Sequence, residues 1–158
     1  MYTSSATIPA ANPGARAYAR VGIESAVMSA TPQQLLTMLF DGAKTAIGMA
    51  RHHMAQRDIV AKGNAISKAI SIIDSGLKAS LDAEAGGSAG AALAANLAAL
   101  YDYINQRLLL ANLHNDPAML DEAERLLENI ASAWREINGG QKAVENAGFA
   151  PAEFAARS

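Results

Sequence analysis

Apolar residues recur every three or four positions in four stretches of this sequence, which is the spacing of one face of an α-helix. The first stretch begins at Thr31 and Pro32 and runs to about Gln56. This pair favours a helix start, because threonine caps free backbone N–H groups and proline has no N–H to leave unpaired. Asp116 and Pro117 repeat the signal later in the chain. No alternating strand pattern competes with these helical repeats, so the sequence predicts helices as its elements.

The remaining boundaries come from caps and glycines. Asp58 can cap a second helix that reaches Leu81, and the glycine-rich stretch "DAEAGGSAGA" separates it from a third helix, which spans about Ala91 to Leu113. The fourth helix is predicted to stop at Gly139, where glycine can adopt the left-handed conformation of a helix end. Of the residues, 51% are hydrophobic but only 5% are aromatic, so the apolar content is mostly alanine, leucine and isoleucine. This mixture favours helices over strands. Four helices joined by short turns predict an all-α, antiparallel up-down-up-down four-helix bundle.

The ends of the chain differ from its centre in composition. Residues 1–14 contain little to bury and are predicted to form a flexible arm. Residues 15–138 are predicted to form the bundle domain, which starts with a short amphipathic N-terminal helix in "ARAYARVGIESAVMSA". Residues 139–158 are predicted to be a polar, alanine-rich C-terminal tail.

Charge and cysteine content exclude several classes of function. The formal net charge of −2 offers no basic footprint for nucleic acid. The chain has no cysteine, which excludes disulfides and thiolate metal sites. No apolar run approaches the roughly 20 residues that span a bilayer, and the N-terminus lacks the pattern of a signal peptide. We therefore expect a cytoplasmic protein without membrane insertion.

Two of the predicted helices carry more apolar surface than a bundle core requires. The fourth helix has a single apolar stripe from Leu120 to Ile137, with acidic residues elsewhere. The third has a core stripe from Leu93 to Ala111 and a second apolar series rotated away from it, and the second helix shows a similar excess. We expect this surplus to form a shallow groove for a partner helix. The alternatives are that the alanines are present only as good helix formers, or that the chain's own arm or a second copy covers the groove. The predicted groove residues are Ala65, Ala69, Ile72 and Ala79 on the second helix and Ala99, Tyr103, Leu110 and Leu113 on the third.

The residues with chemical potential do not form a catalytic pattern. Tyr101, Asp102 and Tyr103 are consecutive, so on a helix their side chains point 100° apart and do not converge. His52 and His53 are adjacent rather than four residues apart, which does not match a helical metal pair. A phosphoacceptor role for either histidine remains an alternative. The sequence predicts no catalytic residues, no metal site and no cofactor.

Three stretches stand out beside the pair Ala133-Trp134: "YARVGIESAVMSATPQQLLTMLFDGA", "KGNAISKAISIIDSGLKASLD" and "LYDYINQRLLLANLHND". In their order and spacing, from about residue 14 to residue 137, they resemble the flagellin-specific export chaperone family, FliS. The resemblance implies a non-enzymatic four-helix bundle. It also implies that the chain binds the disordered C-terminal segment of flagellin, prevents premature polymerisation and delivers flagellin to the type III export gate through the cytoplasmic domain of FlhA. The resemblance further implies export-gate docking through Tyr18, because family members tend to dock the gate through an N-terminal segment that contains a tyrosine.

A second hypothesis keeps the fold and changes the partner. The surplus apolar surface would then serve a homodimer or another flagellar export client. A third hypothesis, phosphotransfer through His52 or His53, requires an exposed histidine and little else.

Overall fold

The computed structural model describes residues 28–82 and 87–146 of the chain, and within these ranges it contains four helices and no strand. The helices are α1 (Pro32–Ala55), α2 (Ile59–Ser71, continued by a π-helical segment, Ile72–Lys78), α3 (Gly87–His114) and α4 (Pro117–Asn146). The all-α prediction is confirmed. The predicted arm, the N-terminal helix up to residue 27 and the tail after residue 146 lie outside the described residues.

The start of α1 is a reciprocal cap. The Thr31 backbone N–H donates to Oε1 of Gln34 at 2.9 Å, and the Gln34 backbone N–H donates to Oγ1 of Thr31 at 3.1 Å. Pro32 is the first helical residue, as predicted. This exchange satisfies two backbone donors that the first turn would otherwise leave free.

Aspartates begin the helices that follow the two short turns. The Asp58 carboxylate accepts a hydrogen bond of 3.1 Å from the backbone N–H three residues later, and the Asp116 carboxylate accepts one of 2.9 Å from the N–H two residues later. Each turn also contains a residue in the left-handed region, Arg57 at φ 57° and Asn115 at φ 53°. The caps predicted at Asp58 and Asp116 are confirmed.

Polar contacts show that α1 and α4 are antiparallel neighbours. Lys44 Nζ lies 2.6 Å from Glu128 Oε2, and further along α1 Arg51 lies 2.9 Å from Asp121 Oδ1. As the position on α1 advances, the partner on α4 recedes, so the two helices run in opposite directions. The side chains that form these pairs are partly exposed, so they order this interface more than they stabilise it.

The pair α2 and α3 is antiparallel by the same criterion. Lys62 Nζ donates to the backbone oxygen of Asn112 at 3.0 Å, whereas Lys78 Nζ, at the other end of α2, donates to Asp102 at 2.7 Å.

The four helices enclose one apolar core, in which α1 and α3 lie diagonally opposite. Its largest fully buried side chains are Ile47, Ile66, Ile73, Leu77, Ile104, Leu108, Leu120 and Leu127.

Two predicted boundaries are wrong. Helix α3 begins at Gly87 rather than at Ala91, so that Ser88, Ala89 and Gly90 are part of it. Helix α4 continues through Gly139 to Asn146. A glycine costs a helix only about 1 kcal/mol relative to alanine, so it ends a helix only where it turns left-handed.

The π-helical segment was not predicted. In it the hydrogen bonds span five residues instead of four, which widens the turn around Gly76. A Cβ atom on Gly76 would lie 2.8 Å from Cδ2 of Leu39 on α1, too close for an ordinary contact. The absence of a side chain at Gly76 therefore permits the close approach of α1 and α2.

Within the part of the chain that the structure describes, none of the helices has the length and hydropathy of a membrane-spanning segment.

Candidate functional site

Helix α3 presents apolar side chains on the side that faces away from the core. Tyr103 is 40% exposed, Leu109 57% and Leu113 72%. Between Ala99 and Leu113, Asp102 and Gln106 are the only polar side chains among the exposed residues. We define the outer face of α3 as Ala92, Ala95, Ala99, Tyr103, Leu109, Leu110 and Leu113, of which Leu110 is half-buried and the others are exposed. The surplus apolar surface that was predicted for the third helix is present.

The opposite side of α3 belongs to the core. Tyr101, Ile104 and Leu108 are buried, and burial raises the pKa of Tyr101 to about 12. A helix with apolar residues on both sides is fully covered only when further surface packs against it. The outer face of α3 is therefore the strongest candidate for an interaction site among the described residues.

Tyr103 is fixed on this face by a residue of another helix. Its hydroxyl donates to Oε2 of Glu122 on α4 at 2.9 Å. The other oxygen of that carboxylate, Oε1, lies 2.5 Å from Nε of Arg107, whose guanidinium carbon is 6.0 Å from the centre of the Tyr103 ring. The hydrogen bond from Tyr103 and the contact with Arg107 lower the pKa of Glu122, and the same hydrogen bond raises the pKa of Tyr103.

Asp102 borders the outer face of α3 on its α2 side. Its carboxylate accepts a hydrogen bond of 2.7 Å from Lys78, and this bond is the main cause of the raised pKa of Lys78. The consecutive residues Tyr101, Asp102 and Tyr103 thus face the core, α2 and α4 respectively. Their side chains do not converge, as predicted.

The prediction of an apolar outward face on α2 is wrong. Ala65 and Ala69 are buried in the core, and Ile72 is half-buried against it. Ala79 is the exposed one of the four groove residues predicted for the second helix, and it lies just after the π-helical segment ends. A bundle helix packs against two neighbours and so buries a wider sector than one stripe of isoleucines, which draws the flanking alanines inward.

Two residues that were predicted to lie in the core are exposed. Leu93 on α3 and Ile137 on α4 are both more than half exposed. The core cluster extends to Leu97 on α3 and to Trp134 on α4, so both residues lie about one turn beyond it. Leu93 therefore adds to the apolar surface near the beginning of α3.

Three residues of interest had not been identified from the sequence. Leu109 is exposed on the outer face of α3, and Glu122 on α4 accepts the hydrogen bond from Tyr103. Lys62 is only 3% exposed, and its ammonium group binds the backbone oxygen of Asn112 and the side chain of Asn115 at the end of α3. A signal for Lys62 was available, because it precedes Ile66 by four residues on the core stripe of α2.

Tyr18, the residue implied for export-gate docking, lies outside the described residues. Among the residues that the structure does describe, no group of three or more histidine, aspartate or glutamate side chains could hold a metal ion. His52 and His53 lie in the last turn of α1 with their ring centres 5.5 Å apart.

Comparison with known proteins identifies the family of the chain. A model of the family described as Flagellar protein FliS matches residues 14–141. The chain is 55% identical over 138 residues to the Flagellar secretion chaperone FliS of Salmonella typhimurium, covering 87% of this chain and 93% of that protein. It is 50% identical over 123 residues to the protein of the same name from Escherichia coli, with coverage of 78% and 88%.

A more distant relative gives the same result. The Flagellar secretion chaperone FliS of Bacillus subtilis is 32% identical over 113 residues, which cover 72% of this chain and 80% of that protein. The family model's match, residues 14–141, includes the outer face of α3 and most of α4, and the chain belongs to the FliS family of flagellar secretion chaperones.

Proposed function

We propose that this chain binds the disordered C-terminal segment of flagellin along the outer face of α3, prevents premature polymerisation and delivers flagellin to the export gate through the cytoplasmic domain of FlhA. The observation that carries the proposal is the exposed apolar surface of α3. Family membership supports the proposed client, because the relatives are named flagellar secretion chaperones.

The energetics determine how much of the outer face of α3 a disordered client must cover. Covering the exposed parts of Leu109 and Leu113 contributes about 2–4 kcal/mol on the usual scale for burying a leucine. Ordering a disordered segment costs about 2–5 kcal/mol. Because these terms are of similar size, the segment must contact the smaller residues of the face as well. An amphipathic helix laid lengthwise on α3 makes such contacts.

The test replaces Leu113 by a charged residue. The probe is monomeric flagellin purified from the bacterium that encodes the chain. We expect Leu113→Glu to weaken the affinity for it by about tenfold or more, because apolar contact is lost and a charge is buried. Leu113 is preferred to Leu110, since its greater exposure lets the variant fold normally. Calorimetric titration measures the affinity, and circular dichroism with urea unfolding checks the bundle.

Met49→Glu is the matched control. Met49 is 50% exposed but lies on α1, diagonally opposite α3. This variant should bind flagellin like the wild type and delay filament growth equally well. Equal binding by wild type, Leu113→Glu and Leu109→Glu would remove the outer face of α3 from the proposal.

Sedimentation of the free chain tests the adaptor alternative. A dimer that flagellin does not displace, and that Leu113→Glu converts to a monomer, would assign the same face to self-association. A monomer that forms a stoichiometric complex with flagellin supports the chaperone function.

A further inference from the structure

The outer face of α3 contains one aromatic side chain, and a neighbouring helix fixes its position. Tyr103 stands between the exposed alanines at the beginning of α3 and the leucines at its end. Its hydroxyl is bound to Glu122 of α4, a residue that is not part of the apolar surface. The orientation of the ring therefore depends on a contact between two helices.

We infer that Glu122 is a positioning residue for client binding, which holds the ring of Tyr103 on the outer face of α3 before flagellin arrives. The inference rests on the proposed function of that face. It assigns to the carboxylate of Glu122 a role in affinity although the carboxylate itself need not touch the client.

The carboxylate is well placed for this role because it is held from two sides. Tyr103 donates to Oε2, and the guanidinium group of Arg107 lies against Oε1. Arg107 comes from the same helix as Tyr103, one turn later, and its guanidinium carbon lies over the Tyr103 ring at 6.0 Å from the ring centre. The three side chains restrain one another, so the Tyr103 ring has little rotational freedom left to lose on binding.

The size of the effect follows from the entropy of ordering a side chain. Immobilising a free side chain at an interface costs about 0.5–1.5 kcal/mol, which corresponds to a two- to tenfold change in affinity. Tyrosine has few rotatable bonds and a large apolar ring, so a pre-oriented tyrosine contributes contact area at a low entropic cost. Releasing the hydroxyl from Glu122 restores that cost.

The experiment is a double-mutant cycle with flagellin as the probe. We expect Tyr103→Phe and Glu122→Ala each to weaken flagellin binding by about two- to tenfold. The double variant should bind flagellin as tightly as the single variant with the lower affinity, because both substitutions remove the same hydrogen bond. Glu122→Gln should bind nearly as well as the wild type, because its amide oxygen still accepts the hydrogen bond. Affinities are measured by calorimetric titration of the full chain.

Glu124→Ala is the matched control. Glu124 lies on the same helix and is also paired with an arginine, Arg51 at 2.8 Å, but that pair faces α1. Its loss should affect the stability of the bundle about as much as the loss of Glu122, while flagellin affinity stays at the wild-type value.

A spectroscopic readout separates positioning from general stability. The hydrogen bond to Glu122 is the main cause of the raised pKa of Tyr103. The positive charges of Arg107 and Arg125 act in the opposite direction and lower this pKa. Absorbance titration of the phenol should therefore show a lower pKa for Tyr103 in Glu122→Ala and an unchanged one in Glu124→Ala. The difference from the same chain carrying Tyr103→Phe isolates this residue from the other three tyrosines.

Three results would overturn the inference: wild-type affinity in Glu122→Ala, equal weakening by Glu124→Ala, or a double variant whose loss is the product of the single losses. Failure of the wild-type chain to bind flagellin would instead refute the proposed function.

Discussion

At the residue scale, the burial of Lys62 departs most from what its side-chain type favours. Lysine is almost never fully buried without partners, yet this one is 3% exposed within α2. Its ammonium group donates to the backbone oxygen of Asn112 and to the side chain of Asn115, where α3 ends and its carbonyl groups lack partners within the helix. A cation at a helix C-terminus is also favoured by the helix dipole. Lys62 thus joins α2 to the turn between α3 and α4.

We predict that Lys62→Met lowers the free energy of unfolding by about 1–3 kcal/mol, because it keeps the aliphatic stem and removes the charge-assisted hydrogen bonds. Lys68→Met, an exposed position on the same helix, should change it by no more than about 0.5 kcal/mol. Urea unfolding followed by circular dichroism measures both. A Lys62→Met chain as stable as the wild type would show that the buried ammonium contributes nothing to folding.

At the element scale, α2 combines two kinds of helix with different packing requirements. Its regular part includes Gly63, around which a Cβ atom would meet nothing within 4 Å. Its π-helical part includes Gly76, where a Cβ atom would lie 2.8 Å from Leu39, a half-buried residue packed against the core. The same substitution should therefore have opposite effects at the two positions.

We expect Gly63→Ala to stabilise the bundle by about 0.5–1 kcal/mol through helix propensity. Gly76→Ala should destabilise it by about 1–2 kcal/mol, because the Leu39 side chain must shift away from its packing against the core. Thermal and urea unfolding of the two variants, each compared with the wild type, give the signs. Stabilisation by both substitutions would mean that α1 and α2 separate there at little cost.

The sequence predicted the number, order and type of the helices because each has a cap or an apolar period of its own. Thr31, Asp58 and Asp116 are local signals, and the structure confirms all three. The π-helical segment has no such signal, since isoleucines and leucines at helical spacing suit either kind of helix. The placement of Ala65 and Ala69 was wrong because the width of a buried sector depends on how closely neighbouring helices approach, which no single helix encodes.

At the scale of the whole molecule, the ion pairs that join α1 to α4 involve no residue of the outer face of α3. Ion pairs of Lys44 and Arg51 with Glu128, Asp121 and Glu124 cross between α1 and α4, whereas the outer face of α3 carries the exposed leucines. The proposed client site lies within residues 92–113, and the residue implied for gate docking, Tyr18, belongs to the N-terminal part of the chain. Client binding and gate docking should therefore be separable by single substitutions.

We predict that Tyr18→Ala keeps wild-type affinity for flagellin and weakens binding of the chaperone–flagellin complex to the cytoplasmic domain of FlhA by about tenfold, the loss typical of an aromatic anchor. Tyr2→Ala is the matched control, since it removes the same side chain from the same N-terminal part of the sequence and should leave both affinities unchanged. Interferometry with the FlhA domain immobilised and the preformed complex in solution measures gate docking, and calorimetry measures flagellin binding. If Tyr18→Ala lowers flagellin affinity and leaves FlhA binding intact, Tyr18 contributes to the client site, and gate docking must reside elsewhere on the complex. Such a result would contradict the proposed separation, in which flagellin binds the outer face of α3 and FlhA binds the segment that contains Tyr18.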